Sequence, residues 1–178
     1  MSNQEKRIEI LTKAELRNAL KRLTAEILEK IDKPQNLILM GIPTRGVNLS
    51  EVIALEISKK IGYEVEKGII DPTFYRDDQS KVGTKSIKVD SIPSSLDEKE
   101  IILIDDVIYT GRTARAAMEA LNFWGRPKKV KLLTMIDRGH RELPIQPDFC
   151  GKQVLTNKDQ NIELRLKSLD EIEGVFLV

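Results

Sequence analysis

The amino-acid sequence predicts an α/β fold, a central parallel sheet flanked by helices, and three observations carry that reading. Short apolar runs alternate with helix-period segments through the middle of the chain, the pattern of strands joined by right-handed helical crossovers. One run, Ile101-Ile102-Leu103-Ile104, is apolar at every position, as a strand buried on both faces must be. It leads into Asp105-Asp106 and then into the turn Thr110-Gly111-Arg112-Thr113, which opens a helical segment. Open α/β sheets bind their ligands at such strand ends.

The elements follow in order. Thr12-Lys13-Ala14-Glu15 has the spacing of a capping box. Leu16, Leu20, Leu23, Ile27 and Ile31 then form one apolar stripe at helical spacing. Asp32-Lys33-Pro34 ends this helix, because proline disfavours the helical conformation in the residue before it. Leu37 to Met40 reads as a short buried strand, Gly41-Ile42-Pro43-Thr44-Arg45-Gly46 as a loop, and Val47 to Ile61 as the next helix. Val65 to Asp71 is a second strand.

From Pro72 to Pro93 the periodicity disappears, and a loop of that length inside a compact domain is functional or mobile. Ala114 to Trp124 has helical spacing, and Val130 to Ile136 reads as a strand. Asp137-Arg138-Gly139-His140-Arg141-Glu142-Leu143-Pro144 is a second charged loop. Short strand-like pieces lie near Gln153 to Leu155, Ile162 to Leu166 and Val175 to Val178. A chain of 178 residues without repeats or linkers fits one domain, 1–178, with its own core.

Composition bounds the function classes. Hydrophobic residues at 40% and charged residues at 32% suit a soluble globular chain. No apolar run approaches the ~18 residues of a membrane span, and Met1 to Glu9 is unlike a signal peptide. The single Cys150 cannot form an internal disulfide, which suits a reducing cytoplasm, and reads best as a small buried hydrophobe. A net charge of +1 and a pI of about 7.8 give no overall support for nucleic-acid binding. Aromatics at 4% argue against a surface built to stack bases.

The chemistry concentrates in the central motif. Successive amides of Thr110 to Thr113, opening into a helix, point at one anion with help from the helix dipole. No Gly-Lys-Ser/Thr follows, so this is not a Walker A loop; taken alone it reads equally as an N-cap threonine. Asp105 and Asp106 add acceptors for ribose hydroxyls, or ligands for Mg2+ through water or those hydroxyls. Strand side chains alternate between faces, so both carboxylates share one ligand only where the chain departs from regular strand. A sugar phosphate fits both halves of such a site.

The thirteen residues from Ile101 to Thr113 resemble the phosphoribosyl pyrophosphate (PRPP) motif of type I phosphoribosyltransferases. That resemblance implies the type I phosphoribosyltransferase fold with a small hood from the terminal segments. It implies that Asp105 and Asp106 hold the ribose hydroxyls, with Mg2+ bound indirectly. Thr110, Gly111, Arg112 and Thr113 would cradle the 5-phosphate, with Val107 and Tyr109 in the same PRPP-binding run. Gly41 to Gly46 resembles the pyrophosphate loop, which implies PRPP contacts from Thr44, Arg45 and Gly46 and a strained or cis peptide at Thr44-Arg45. Asp71 to Asp78 resembles the root of a flexible loop, about 72–93, that closes over PRPP and brings Arg76 to the pyrophosphate. Asp105, Asp106 and Arg76 are the implied catalytic residues.

Tyr75-Arg76-Asp77-Asp78, the PRPP motif and Asp137 to Ile145 together resemble one branch, the pyrimidine operon regulators with uracil phosphoribosyltransferase activity. The resemblance runs from about Ile8 to Val178. It implies conversion of uracil and PRPP to UMP and pyrophosphate, a homodimer or tetramer, and in some members UMP-dependent binding of leader RNA. Asp137 and Arg138 are candidates for base recognition. His140, the single histidine, reads as structural or solvent-facing. No histidine triad is needed, because PRPP chemistry proceeds through an oxocarbenium-like centre that the protein positions and shields.

Two rivals stay open. A purine (hypoxanthine/guanine) phosphoribosyltransferase shares the PRPP loops, and Pro147-Asp148-Phe149-Cys150-Gly151 also resembles that branch. The other rival is an RNA-binding regulator without significant catalysis. Lys13, Arg17 and Lys21 form a basic stripe on the first helix with Arg22 nearby, and Arg138, Arg141 and Lys152 add charge late in the chain. The same stripe reads as a solvated face balanced by Glu15, Glu26 and Glu29. RNA-binding members of the branch carry a histidine on that helix, where this chain has Ala25.

Overall fold

The computed structural model describes residues 7–77 and 90–178. Asp78 and most of the loop expected at 72–93 lie outside the described residues. In chain order the elements are β1 (Ile8–Leu11), α1 (Lys13–Lys30), β2 (Leu37–Gly41), α2 (Arg45–Ile61), β3 (Glu66–Ile69) and β4 (Glu100–Ile108). Then come α3 (Arg112–Trp124), β5 (Lys129–Asp137), β6 (Phe149–Gln153), β7 (Ile162–Arg165) and β8 (Gly174–Leu177).

Five strands form one parallel sheet in the order β3-β2-β4-β5-β6. Its centre is apolar on both sides. Ile102 and Ile104 face Leu49 and Ile53 of α2 and Leu23 and Ile27 of α1. Ile101 and Leu103 face Ala114, Ala117, Ala120 and Leu121 of α3, whose small side chains bring that helix close. The expected capping box starts α1: the Glu15 amide donates to Thr12 Oγ1 at 3.3 Å, and the Thr12 amide to Glu15 Oε2 at 2.8 Å.

The terminal segments make a three-stranded antiparallel sheet, β1-β8-β7. Leu11, Leu164, Leu166 and Val175 join the same apolar cluster as α1 and α2, so this hood is fused to the main layer. Among the described residues no helix is long and apolar enough to cross a membrane.

Several boundaries differ from the sequence-based expectation, and three of the differences have a clear physical cause. Helix α2 begins at Arg45, not Val47, because Gly46 lets its first turn lie directly on β4; the expected loop shrinks to Ile42-Pro43-Thr44. Strand β4 runs on through Asp105 and Asp106, paired with β5 as far as Ile108 opposite Asp137. Strand β6 occupies Phe149–Gln153 instead of starting at Gln153, since fully buried Phe149 anchors its beginning while Leu155 is 98% exposed.

This order places the site. From β2 the chain moves outward to β3, and from β4 outward the other way to β5 and β6. The loops leaving β2 and β4 therefore diverge, and the crevice between them is the topological switch point of the sheet.

Candidate active site

Strand β4 delivers two carboxylates to that crevice. Asp105 is buried and Asp106 half-buried. The amide of Asp106 donates to Asp105 Oδ1 at 3.0 Å, and the amide of Val107 to Asp106 Oδ1 at 3.0 Å. Each carboxylate is thus oriented by the next peptide. Leu103 packs on the α3 side and Ile104 on the α2 side, yet Val107 returns to the α2 side and Ile108 to the α3 side. Strict alternation would place Val107 with Leu103. The strand's regularity is therefore interrupted between Ile104 and Val107, at the carboxylate pair.

The anion turn follows at once. Gly111 has φ +91°, a left-handed conformation that glycine adopts without strain, and α3 starts at Arg112. The turn is closed by the Arg112 amide on Thr110 Oγ1 at 3.4 Å and the Arg115 amide on the Gly111 carbonyl at 3.0 Å. Arg76, the residue expected to reach the pyrophosphate on loop closure, donates here through Nη1 to Thr113 Oγ1 at 2.5 Å. Arg112 donates to Asp77 Oδ2 and Glu142 Oε2, both at 2.6 Å, and Arg115 Nη2 to the Tyr75 carbonyl at 2.6 Å. Segment 75–77 is thereby hooked over the N-terminus of α3.

On the other side of the crevice lies Ile42-Pro43-Thr44. The Ile42 amide donates to the Ile104 carbonyl at 2.9 Å, so this loop leaves directly beside the carboxylate pair. The cis peptide is Pro43-Thr44, one bond ahead of the expected Thr44-Arg45. Thr44 is exposed, Arg45 half-buried and Gly46 buried. Arg45 makes a two-pronged pair with Asp170, Nη1 to Oδ2 at 2.6 Å and Nη2 to Oδ1 at 3.1 Å. The Arg45 guanidinium holds the Asp170 carboxyl below the usual carboxylate range, against the opposing effect of burial. Asp170 in turn raises the pKa of Arg45, and Asp106 adds to that effect.

The residues expected to recognise the base lie at the end of β5. Asp137 is buried, accepting from the Gly139 amide at 3.0 Å and from Arg141 Nη2 at 2.7 Å. Arg138 is also buried, and its guanidinium is engaged by the segment that follows β6. It donates to Thr156 Oγ1 at 3.1 Å and to the carbonyls of Asn157 and Gln160 at 3.0 and 2.5 Å, with its flank 4.2 Å from the centre of the Tyr109 ring. Its side chain braces the 156–160 segment and Tyr109. Exposed His140, at φ +58°, lies 2.6 Å from the Thr156 carbonyl through Nε2, which must therefore carry the proton.

The RNA candidates separate into two groups. Arg141 is internal: it donates to the carbonyls of Tyr109 at 2.9 Å and Ile145 at 2.8 Å as well as to Asp137. Arg22 ties α1 to the Cys150 and Gly151 carbonyls at 3.1 and 2.6 Å, and Lys152 Nζ donates to the Ile10 carbonyl at 3.1 Å. All three carry bonds within the fold, and Arg22 and Lys152 are exposed as well. Lys13 and Arg17 are exposed and share Glu173 at 3.2 and 3.3 Å, and Lys21 is exposed on the same face. The Pro147 to Gly151 segment is the start of β6: the Asp148 carboxylate accepts the Leu132 amide at 2.9 Å, well below the strand ends.

Two contributors escaped the sequence reading. Asp170 lies 125 positions from Arg45 in a tail without motif, so no local signal marked it. Arg141 read as a surface cation, because nothing in a charged loop tells that a guanidinium will turn inward.

Comparison with known proteins agrees with this geometry. Residues 8–168 match the phosphoribosyl transferase domain. The chain is 46% identical over 171 residues to the bifunctional protein PyrR of Microcystis aeruginosa, covering 96% of this chain and 97% of that one. It is 43% identical over 169 residues to the bifunctional protein PyrR of Deinococcus radiodurans, with 94% and 92% covered. Among solved structures, a hypoxanthine-guanine phosphoribosyltransferase from Bacillus anthracis superposes with a TM-score of 0.72 at 18% identity, over 96% of this chain and 98% of that one. The hypoxanthine phosphoribosyltransferase of Trypanosoma cruzi gives 0.73 at 15% identity, over 96% and 94%. At such identities these two show the shared type I fold. With its carboxylate pair, anion turn and pyrophosphate-type loop converging at one switch point, the chain belongs to the phosphoribosyltransferase family, among the bifunctional PyrR proteins.

Proposed function

We propose that this protein is a uracil phosphoribosyltransferase of the pyrimidine-regulator type, joining uracil N1 to C1 of PRPP to give UMP and pyrophosphate. The observation that carries the reading is the meeting, across one crevice, of Asp105-Asp106, the Thr110 to Thr113 turn and Arg45. The choice of uracil rests on the resemblance of segments 75–78, 101–113 and 137–145 to that branch.

In this assignment Asp105 and Asp106 accept the ribose hydroxyls, and the amides of Thr110 to Thr113 hold the 5-phosphate at the start of α3. Val107 and Tyr109 shape the wall between them. Arg76, on Thr113, supports the phosphate end. Thr44, Arg45 and Gly46 face the pyrophosphate. Asp137 orders the loop that meets the base, while Arg138 acts behind it through Tyr109. Positioning and exclusion of water supply the rate enhancement, because the oxocarbenium-like centre needs no protein nucleophile.

The donor set suits Mg2+. Among the described residues no cluster of three or more His, Cys, Asp or Glu side chains forms a metal cage. One or two carboxylates together with phosphate and hydroxyl oxygens of a ligand are the ordinary Mg2+ environment. Asp105 and Asp106 would hold the ion indirectly, and when bound it neutralises charge on the departing pyrophosphate.

The test is a panel of uracil, hypoxanthine, guanine and orotate, each with PRPP and Mg2+. Uracil is expected to be turned over fastest; no UMP from uracil would sink the assignment, and faster hypoxanthine or guanine turnover would replace it with the purine reading.

The regulatory half of the reading rests on α1. Lys13, Arg17 and Lys21 lie on one exposed face; Lys13 and Arg17 reach down to Glu173, which is 12% exposed, and keep about half of their own side chains open to RNA phosphates. Gel-shift titration against a pyrimidine leader RNA, with and without UMP, is expected to show a shift strengthened by UMP. Changing Lys13, Arg17 and Lys21 to glutamine should weaken it and flatten its salt dependence, whereas no shift at low salt would remove the RNA role.

A further inference from the structure

The connection between β7 and β8 is remote in sequence from every motif of the site, yet it reaches the pyrophosphate loop. Asp170 is fixed there before it meets any partner. Its amide donates to the Leu166 carbonyl at 2.8 Å and its Oδ2 accepts the Leu166 amide at 2.9 Å, closing a tight turn. The Leu169 amide adds a bond to the same carbonyl at 2.9 Å. The hood supports this turn from below through buried Leu164, Leu166 and Val175.

Asp170 grips Arg45 end-on, one oxygen to each terminal nitrogen. The side chains are 28% and 15% exposed, so the pair is shielded more than a surface contact. A guanidinium carries five N–H donors in a rigid plane. Two of them point at Asp170, which fixes the plane and leaves Nε–H and the two outer hydrogens for another acceptor. Arg45 is also the first residue of α2, where backbone amides and the helix dipole already favour an anion.

We propose that Asp170 is a positioning residue for pyrophosphate recognition: it holds the Arg45 guanidinium in the orientation that meets the pyrophosphate of PRPP. The inference rests on the phosphoribosyl-transfer reading above and extends it to a residue outside the PRPP motifs. Without Asp170 the arginine keeps its charge but loses its direction, so binding of the leaving group weakens while the base side is untouched. A carboxylate that merely masked Arg45 would have the opposite effect, since its removal would tighten pyrophosphate binding.

Calorimetric titration with magnesium pyrophosphate separates these outcomes and needs no acceptor base. Asp170→Asn is expected to weaken binding about tenfold, with Asp170→Glu recovering part of the loss. In steady-state assays the KM for PRPP should rise while that for uracil stays unchanged. Asp170→Asn placed on an Arg45→Ala background should cause no further loss, because the two act as one unit. If Asp170→Asn lowers the melting temperature enough to unfold the protein, Asp170→Ser is measured instead. Wild-type binding with an unaltered or tighter Asp170 variant overturns this inference alone. Absence of pyrophosphate binding by the wild type overturns the donor-site reading and this inference with it.

Discussion

Replacing Asp105 and Asp106 together by asparagine is expected to lower phosphoribosyl transfer by about a thousandfold or more, while the fold survives. Asparagine keeps the shape of each side chain, and its carbonyl oxygen still accepts the 3.0 Å bonds from the Asp106 and Val107 amides. What disappears is the paired negative charge at the end of β4, and with it the strong acceptors for ribose hydroxyls and for hydrated Mg2+. Steady-state assay beside circular-dichroism melting checks both halves. Turnover within tenfold of wild type would remove the carboxylates from the mechanism, whichever base proves to be the substrate.

Gly46→Ala is expected to damage stability and binding together. A Cβ at Gly46 would stand 2.3 Å from the Ile104 carbonyl oxygen and 3.2 Å from Asp105 Cα. Both are backbone atoms in the central strand, and that carbonyl already accepts the Ile42 amide at 2.9 Å. No side chain can swing aside, so either the first turn of α2 lifts from β4 or the strand shifts at Asp105. Such overpacking costs about 3 kcal/mol, which for a domain of this size lowers Tm by roughly 6–12 °C. PRPP affinity should fall as well, because the displaced atoms belong to both halves of the proposed donor site. A Tm within 2 °C of wild type would show that the contact relaxes more cheaply than its geometry implies.

Much of this was legible in the sequence, for identifiable reasons. β4 could be read because burial on both faces demands an unbroken apolar run, and α1 because its stripe and capping box obey local rules. The carboxylate pair and the glycine turn were visible because they are contiguous. Errors arose where tertiary contacts set the outcome. The start of α2 depends on how near Gly46 can approach a strand encoded almost sixty positions later. The start of β6 is set by burial of Phe149 beneath Lys30 and Lys131. Arg138, Arg141 and Asp170 are charged residues whose partners lie across a loop or across the chain, and a one-dimensional pattern does not say which way such side chains point.

The split of the sheet at its switch point bears on how the two substrates are told apart. Donor contacts in the proposed assignment come from β2, β4 and the two helices that follow them, whereas the acceptor meets the loop after β5. That loop is fastened to the turn after β4: the Glu142 and Leu143 amides donate to the Thr110 carbonyl at 3.0 and 3.1 Å, and the Arg141 side chain donates to the Tyr109 carbonyl. Its backbone path is therefore fixed by the fold, as is Glu142 through Arg112, while in that assignment its other outward side chains meet the acceptor. A lineage can then exchange one nucleobase for another by a few substitutions in a single short loop, leaving the sugar-phosphate chemistry undisturbed. Directed evolution toward a new acceptor should begin there and leave the crevice alone.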